Sequence, residues 1–274
     1  MKSSNAMDLN KQQLQNVQGV TLGEKFERLY KIVQLLRKEC PWDQKQTPDS
    51  LLHLTIEEVF EMVHAVDVKD DNELKKELGD ILLHLCFQSI LAEERRAFEM
   101  ESVLDAISEK LIFRHPHVFG EATVSDEGDV KRKWEELKLK EGRKSVLEGV
   151  PKAMPQLLRA FRMQEKAAGV SFDWKQSEEV LLKLGEEMAE LKNASSQEER
   201  EGEFGDILFT LVNYSRFIGV NPEDALRKTN EKFFRRFQHI EKRVAESGKS
   251  WKDYDLTELD VFWNEAKQME AQKN

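Results

Sequence analysis

Little in this 274-residue chain would crosslink it, anchor it or break its helices. It has two cysteines, Cys40 and Cys86, far apart and with no CxxC pair, which argues against a zinc cluster or a disulfide framework. Two lone thiols read as the reduced cysteines of a cytoplasmic protein. Six prolines and 13 glycines leave few positions that interrupt a helix. No apolar run approaches the roughly 20 residues that span a bilayer; the run from Ile81 to Phe87 is already broken by His84. The opening MKSSNAMDLN lacks the apolar centre of a signal peptide, and residues 1–6 read as a tag remnant ahead of Met7. A basic excess is missing too: 42 Lys and Arg against 52 Asp and Glu give a net charge of −10. That balance argues against nucleic acid and against anionic membrane surfaces as partners. A small anionic substrate would need a local cation to hold it.

What is present is helical periodicity almost throughout, with no stretch of apolar–polar alternation long enough for a sheet. Leu52, Ile56, Val59, Val63 and Val66 form one stripe, expected to face a core; Leu158, Phe161 and the region of Met163 repeat the pattern. Thr47-Pro48-Asp49-Ser50 predicts a helix start capped by Asp49 or Ser50, and Asn221-Pro222 predicts another, with Asn221 as the cap. Short polar turns between such helices predict an all-α fold of antiparallel bundles.

An internal repeat organises the chain. Glu57-Glu58-x-x-Glu61 precedes Glu77-Leu-Gly-Asp80-Ile-Leu-Leu-His-Leu85; Glu186-Glu187-x-x-Glu190 precedes Glu203-Phe-Gly-Asp206-Ile-Leu-Phe-Thr-Leu211. The two nine-residue segments agree at six positions. Each half carries a Trp-Asp or Asp-Trp pair upstream, at Trp42-Asp43 and Asp173-Trp174. Each ends in a tryptophan helix, Trp134 to Lys138 and Trp263 to Lys267. The clustering of Gly142, Gly149, Pro151 and Pro155 predicts a boundary there, giving domains 20–141 and 142–274.

Glu58 and Glu61 share a helix face, as do Glu77 and Asp80 on the next helix. The polar turn Lys69-Asp70-Asp71-Asn72 would fold the two helices together, bringing four carboxylates across a gap of about 8–10 Å between axes. Four unpaired charges would each cost several kcal/mol to desolvate. A divalent cation removes that cost, and an all-oxygen set suits Mg²⁺, or Mn²⁺. Glu187, Glu190, Glu203 and Asp206 form the equivalent set. One EExxE among 52 acidic residues is ordinarily a solvated face; the repetition of both acidic pairs favours the metal reading. Gly79 and Gly205 recur mid-helix, where glycine costs about 1 kcal/mol, and predict close helix approach or ligand contact. A di-iron bundle would need Glu-x-x-His on two helices. Glu61-Met-Val-His64 supplies it once, and Asn193 and Asp80 stand where further histidines would be required. His115 and His117 read as structural. Lys232 and Arg236, four apart, suit phosphate oxygens, as do Lys110 and Arg114; Trp263 suits stacking on a base or a place in the core.

Doubled EExxE and ExxD motifs, with Cys40-Pro-Trp-Asp43, Arg114-His-Pro-His-Val-Phe119, Ser145-Val-Leu147 and Asn230-Glu-Lys-Phe233, closely resemble the MazG family of nucleoside triphosphate pyrophosphohydrolases, from about Thr21 to Lys267. The resemblance implies two tandem four-helix-bundle-like MazG domains, usually in a homodimer. It also implies magnesium-dependent cleavage of nucleoside triphosphates between the α and β phosphates. Matched to the motif, Glu187, Glu190, Glu203 and Asp206 would bind metal, and Lys183, Lys232, Arg236 and Trp263 would contact the nucleotide. Glu186 is a candidate base. Glu58, Glu61, Glu77, Asp80, Lys110 and Arg114 would form a second site. Leu54 stands where the second half has Lys183, and Ser108 where it has Asn230. The C-terminal half is therefore expected to be the main catalytic unit. Two other functions fit the same motifs: a non-catalytic nucleotide-binding or interaction module, and a specialist dUTP or dCTP pyrophosphatase.

Overall fold

The computed structural model describes Leu14 and residues 21–121 and 145–272. The chain is all-α, with no strand among the described residues, and divides into two compact units, Met1–Thr123 and Val124–Asn274. The boundary expected at 141/142 and the tryptophan helix at Trp134 fall in 122–144, outside the described residues.

The first unit contains α1 (Leu22–Glu39), 3-10 turns at Asp43–Lys45 and Asp49–Leu51, α2 (Leu52–Val68), α3 (Asp71–Glu94), α4 (Met100–Arg114) and α5 (Pro116–Phe119). Thr21 opens α1 with a reciprocal capping box to Glu24, which satisfies two backbone N–H groups that the first turn leaves without partners. Helix α2 ends on Lys69, in the left-handed region at φ 58°, and Asp70 caps α3 by accepting from the backbone N–H of Asn72 and Glu73. This is the polar turn expected from the sequence, and α2 and α3 pack along each other as a hairpin. Helix α1 lies against α3, tied by the bidentate pair of Arg37 with Glu94. Val33, Leu51, Cys86, Phe87, Ile90, Leu91 and Met100 form the core.

The second unit contains α6 (Gln156–Ala168), α7 (Ser177–Asn193), α8 (Gln197–Phe217), α9 (Pro222–Ser247), a 3-10 turn at Trp251–Asp253 and α10 (Leu256–Ala271). Helices α7 and α8 repeat the hairpin; α6 packs on α8, and α9 on α6 and α10. Asn221 caps α9 with Pro222 in the first turn, as the sequence predicts.

Three local expectations change. Neither Asp49 nor Ser50 caps α2: a 3-10 turn intervenes, braced by reciprocal hydrogen bonds between Thr47 and Ser50. The Leu52 stripe does not face the core of its own unit. Leu52, Ile56, Val59 and Val66 are exposed, and the opposite face, with Leu51 and Ala65, is the buried one. Nor do Gly79 and Gly205 mark close helix approach, because a Cβ at either would meet nothing within 4 Å.

Candidate active site

The hairpin registers bring three of the four expected carboxylates together in each unit. In the second unit Glu187 on α7 meets Glu203 and Asp206 on α8, each offering a carboxylate oxygen within 4.8 Å of the others. In the first unit Glu58, Glu77 and Asp80 do the same. An octahedral Mg²⁺ site places opposite oxygens about 4.2 Å apart, so both triads lie within a small side-chain adjustment of that geometry. The donors are all oxygen, which fits a hard cation. Glu190 and Glu61 are exposed beside their triads, and their charges bear on Glu203 and Glu77.

Charge repulsion is visible in both clusters. Burial, then shared hydrogen bonds with Glu73 and Glu58, then the charge of Glu61 push the Glu77 carboxyl up to about 7. Burial, then the charges of Glu190 and Glu187, raise Glu203 as well. The second unit carries its own counter-charge. Lys183 Nζ lies 2.8 Å from Oε1 of Glu186 and 2.8 Å from Oε1 of Glu187, which hold its ammonium well above the ordinary lysine range. Leu54, at the matching position, packs against the first unit's core.

Beside Glu187 and Asp206 opens a cavity of about 610 Å³, within the range of small-molecule sites. Trp174, Phe209 and Met163 give it apolar walls, with Lys183 at its edge among the lining residues. Arg216, also in the lining, is held by Asp173 through contacts of 2.6 and 3.2 Å. Two buried features support the walls. Lys166 Nζ donates to the carbonyls of Val146 and Glu148, fixing the turn that carries Leu147 into the lining. Gln164 Nε2 donates to the Phe209 carbonyl at 2.9 Å.

Sequence reasoning marked Asp173-Trp174 but missed Gln164, Asn213 and Arg216. A signal existed: shifted by the spacing between Asp80 and Asp206, Asn213 and Arg216 fall on Phe87 and Ile90, which are core residues in the first unit.

Apart from Lys183, the basic and aromatic candidates lie elsewhere. Arg236 on α9 is engaged by Glu270 at 2.7 and 2.9 Å and stacks over Trp263 with 5.3 Å to the ring centroid. Neither these two nor Lys232 lines the cavity. Lys110 on α4 lines a separate recess with Phe98 and Ile107, and Arg114 closes the same helix.

A protein from Thermotoga maritima named nucleoside triphosphate pyrophosphohydrolase/pyrophosphatase MazG is 44% identical over 247 residues, covering 88% of this chain and 95% of that protein. The chain belongs to the MazG family. The MazG nucleotide pyrophosphohydrolase domain model matches residues 46–119, in the first unit. A MazG relative from Escherichia coli K12, named nucleoside triphosphate pyrophosphohydrolase, is 36% identical over 257 residues, with 89% of this chain and 98% of its own covered. The crystal structure of a mazG-related protein from Thermotoga maritima aligns with 41% of this MazG chain and 98% of its own, at 29% identity and a TM-score of 0.38.

Proposed function

We propose that this protein hydrolyses nucleoside triphosphates to the monophosphate and pyrophosphate, with Mg²⁺ held by Glu187, Glu190, Glu203 and Asp206 of the C-terminal unit. The observation that carries the reading is an acidic triad of which two members, Glu187 and Asp206, line a 610 Å³ cavity with aromatic walls. One end of that arrangement suits a metal-bound polyphosphate and the other an apolar ring. When bound, the metal would supply charge neutralisation for the phosphates.

The chain's own residues do the rest. Lys183 exchanges its carboxylate partners for a phosphate oxygen as substrate arrives. That exchange frees Glu186, exposed and adjacent to Glu187, to take a proton from the attacking water.

The two halves divide the work. The first unit keeps its triad, Glu61, Lys110 and Arg114, but at the positions matching Asn213 and Arg216 it has the core residues Phe87 and Ile90. Its acidic site binds metal and serves as a second, weaker site. Although the family model matches this first unit, Lys183 and a cavity lined by two triad carboxylates favour the second as the principal catalyst; the first unit's cavity of about 620 Å³ touches Glu61 but none of its triad.

The working form is a homodimer. Leu78, Leu82 and Leu85, and their equivalents Phe204, Leu208 and Leu211, are all exposed. The same three positions bare in both units, beside glycines with open space around them, describe faces made to receive a second copy. Lys232, Arg236 and Trp263 contact the triphosphate in that assembled form. The free thiols Cys40 and Cys86 suit a reducing cytoplasm.

A colorimetric assay of pyrophosphate release over a panel of triphosphates, with and without Mg²⁺, tests the reading. Metal-dependent release is expected; no release with any triphosphate would leave a binding module instead.

A further inference from the structure

Gln164 is 5% exposed, and its Oε1 has no hydrogen-bond partner among the described residues. Its orientation is set by chemistry: the Phe209 carbonyl can only accept, so the amide nitrogen faces it and the oxygen is the end left over. A buried acceptor without a donor is costly, and this residue lines the cavity beside the acidic triad. Asn213, in the same lining, presents the complement. Its Oδ1 lies 3.4 Å from Arg216 Nη1, whose guanidinium is in turn fixed by Asp173. The remaining Asn213 amide N–H groups are donors. The cavity therefore joins aromatic walls to one orphan acceptor and one donor, in the same lining as two carboxylates of the triad, Glu187 and Asp206.

Resting on the function proposed above, we infer that this cavity is the nucleobase pocket. Gln164 Oε1 accepts from a base N–H, Asn213 Nδ2 donates to a neighbouring ring nitrogen or carbonyl, and the ring lies against Trp174 and Phe209. Every common base offers an N–H next to an acceptor on its pairing edge, so the pocket admits all four and selects for a base as such. Arg216 is a positioning residue, acting through Asn213. The first unit has no such readout, because Phe87 and Ile90 occupy the matching positions in its core.

The test is direct binding, which needs no turnover. Adenosine, guanosine, cytidine and uridine monophosphates are titrated into the full chain in EDTA by calorimetry. Pyrophosphate is titrated separately with Mg²⁺. Gln164→Met, close in volume, and Asn213→Leu, which leaves the Gln164–Phe209 hydrogen bond in place, are each expected to weaken monophosphate binding about five- to a hundredfold. Both should leave pyrophosphate binding unchanged. Glu187→Gln should do the reverse. Wild-type monophosphate affinities in folded forms of both pocket variants, or no monophosphate binding by the wild type, would overturn the pocket. Pyrophosphate binding insensitive to Glu187→Gln would instead count against the metal site, leaving the pocket result standing.

Discussion

The ammonium of Lys183 lies 2.8 Å from the carboxylate of Glu187, which is 5% exposed. A buried carboxylate in a cluster of like charges needs a cation, and in this unit the chain provides one. The side chain that satisfies Glu187 also lines the cavity beside it.

Replacing Lys183 by Met should therefore separate two functions. Losing a charge-assisted hydrogen bond to phosphate lowers kcat/KM by about ten- to a hundredfold. Mg²⁺ affinity in the absence of nucleotide should not weaken, since a competitor for Glu187 has gone. Steady-state kinetics and metal titration on one preparation check both halves.

Glu77 gives a pH prediction whose sign is fixed. Its folded pKa is raised from 4.5 to about 7. The folded chain thus holds this proton more tightly than the unfolded chain does. The stability it contributes is present below about 4.5 and is lost as pH rises through about 7. Glu203 is shifted in the same direction. In EDTA the melting temperature should fall across this window, and Mg²⁺ should restore it most at the alkaline end. Glu77→Gln should flatten the metal-free profile. Thermal unfolding followed by circular dichroism, from about pH 5 to pH 8, reads all three.

The exposed leucines predict association. Sedimentation velocity should give twice the mass of the chain. Leu208→Arg, which puts a charge on the face that carries Phe204 and Leu211, should shift the population toward monomer while helicity is retained. A wild-type monomer at micromolar concentration would contradict this.

These residues also show what a sequence can carry. The acidic motifs were legible because spacings of three place side chains on one helix face, and the turn at Lys69 dictates that the two faces meet. The cap at Asn221 follows from local chemistry alone. Periodicity says which residues share a face but not what covers it, so it predicts a core position for the Leu52 stripe, which is largely bare within its own unit. Gly79 and Gly205 carried the same ambiguity. Gln164 and Asn213 have no local motif; their meaning comes from tertiary contacts, Gln164 with Phe209 and the Arg216 beside Asn213 with Asp173. The spacing of Lys232 and Arg236 suits a phosphate grip but carries no sign of Glu270, which engages Arg236 from α10.

The most direct measurement is phosphorus NMR of the products formed from one nucleoside triphosphate with Mg²⁺, by the wild type, Glu187→Gln and Glu58→Gln. Monophosphate and pyrophosphate should appear in equal amounts with the wild type and nearly so with Glu58→Gln. Glu187→Gln should lose at least about a hundredfold in rate. Diphosphate with inorganic phosphate as products, or full turnover by Glu187→Gln beside an inactive Glu58→Gln, would contradict the account.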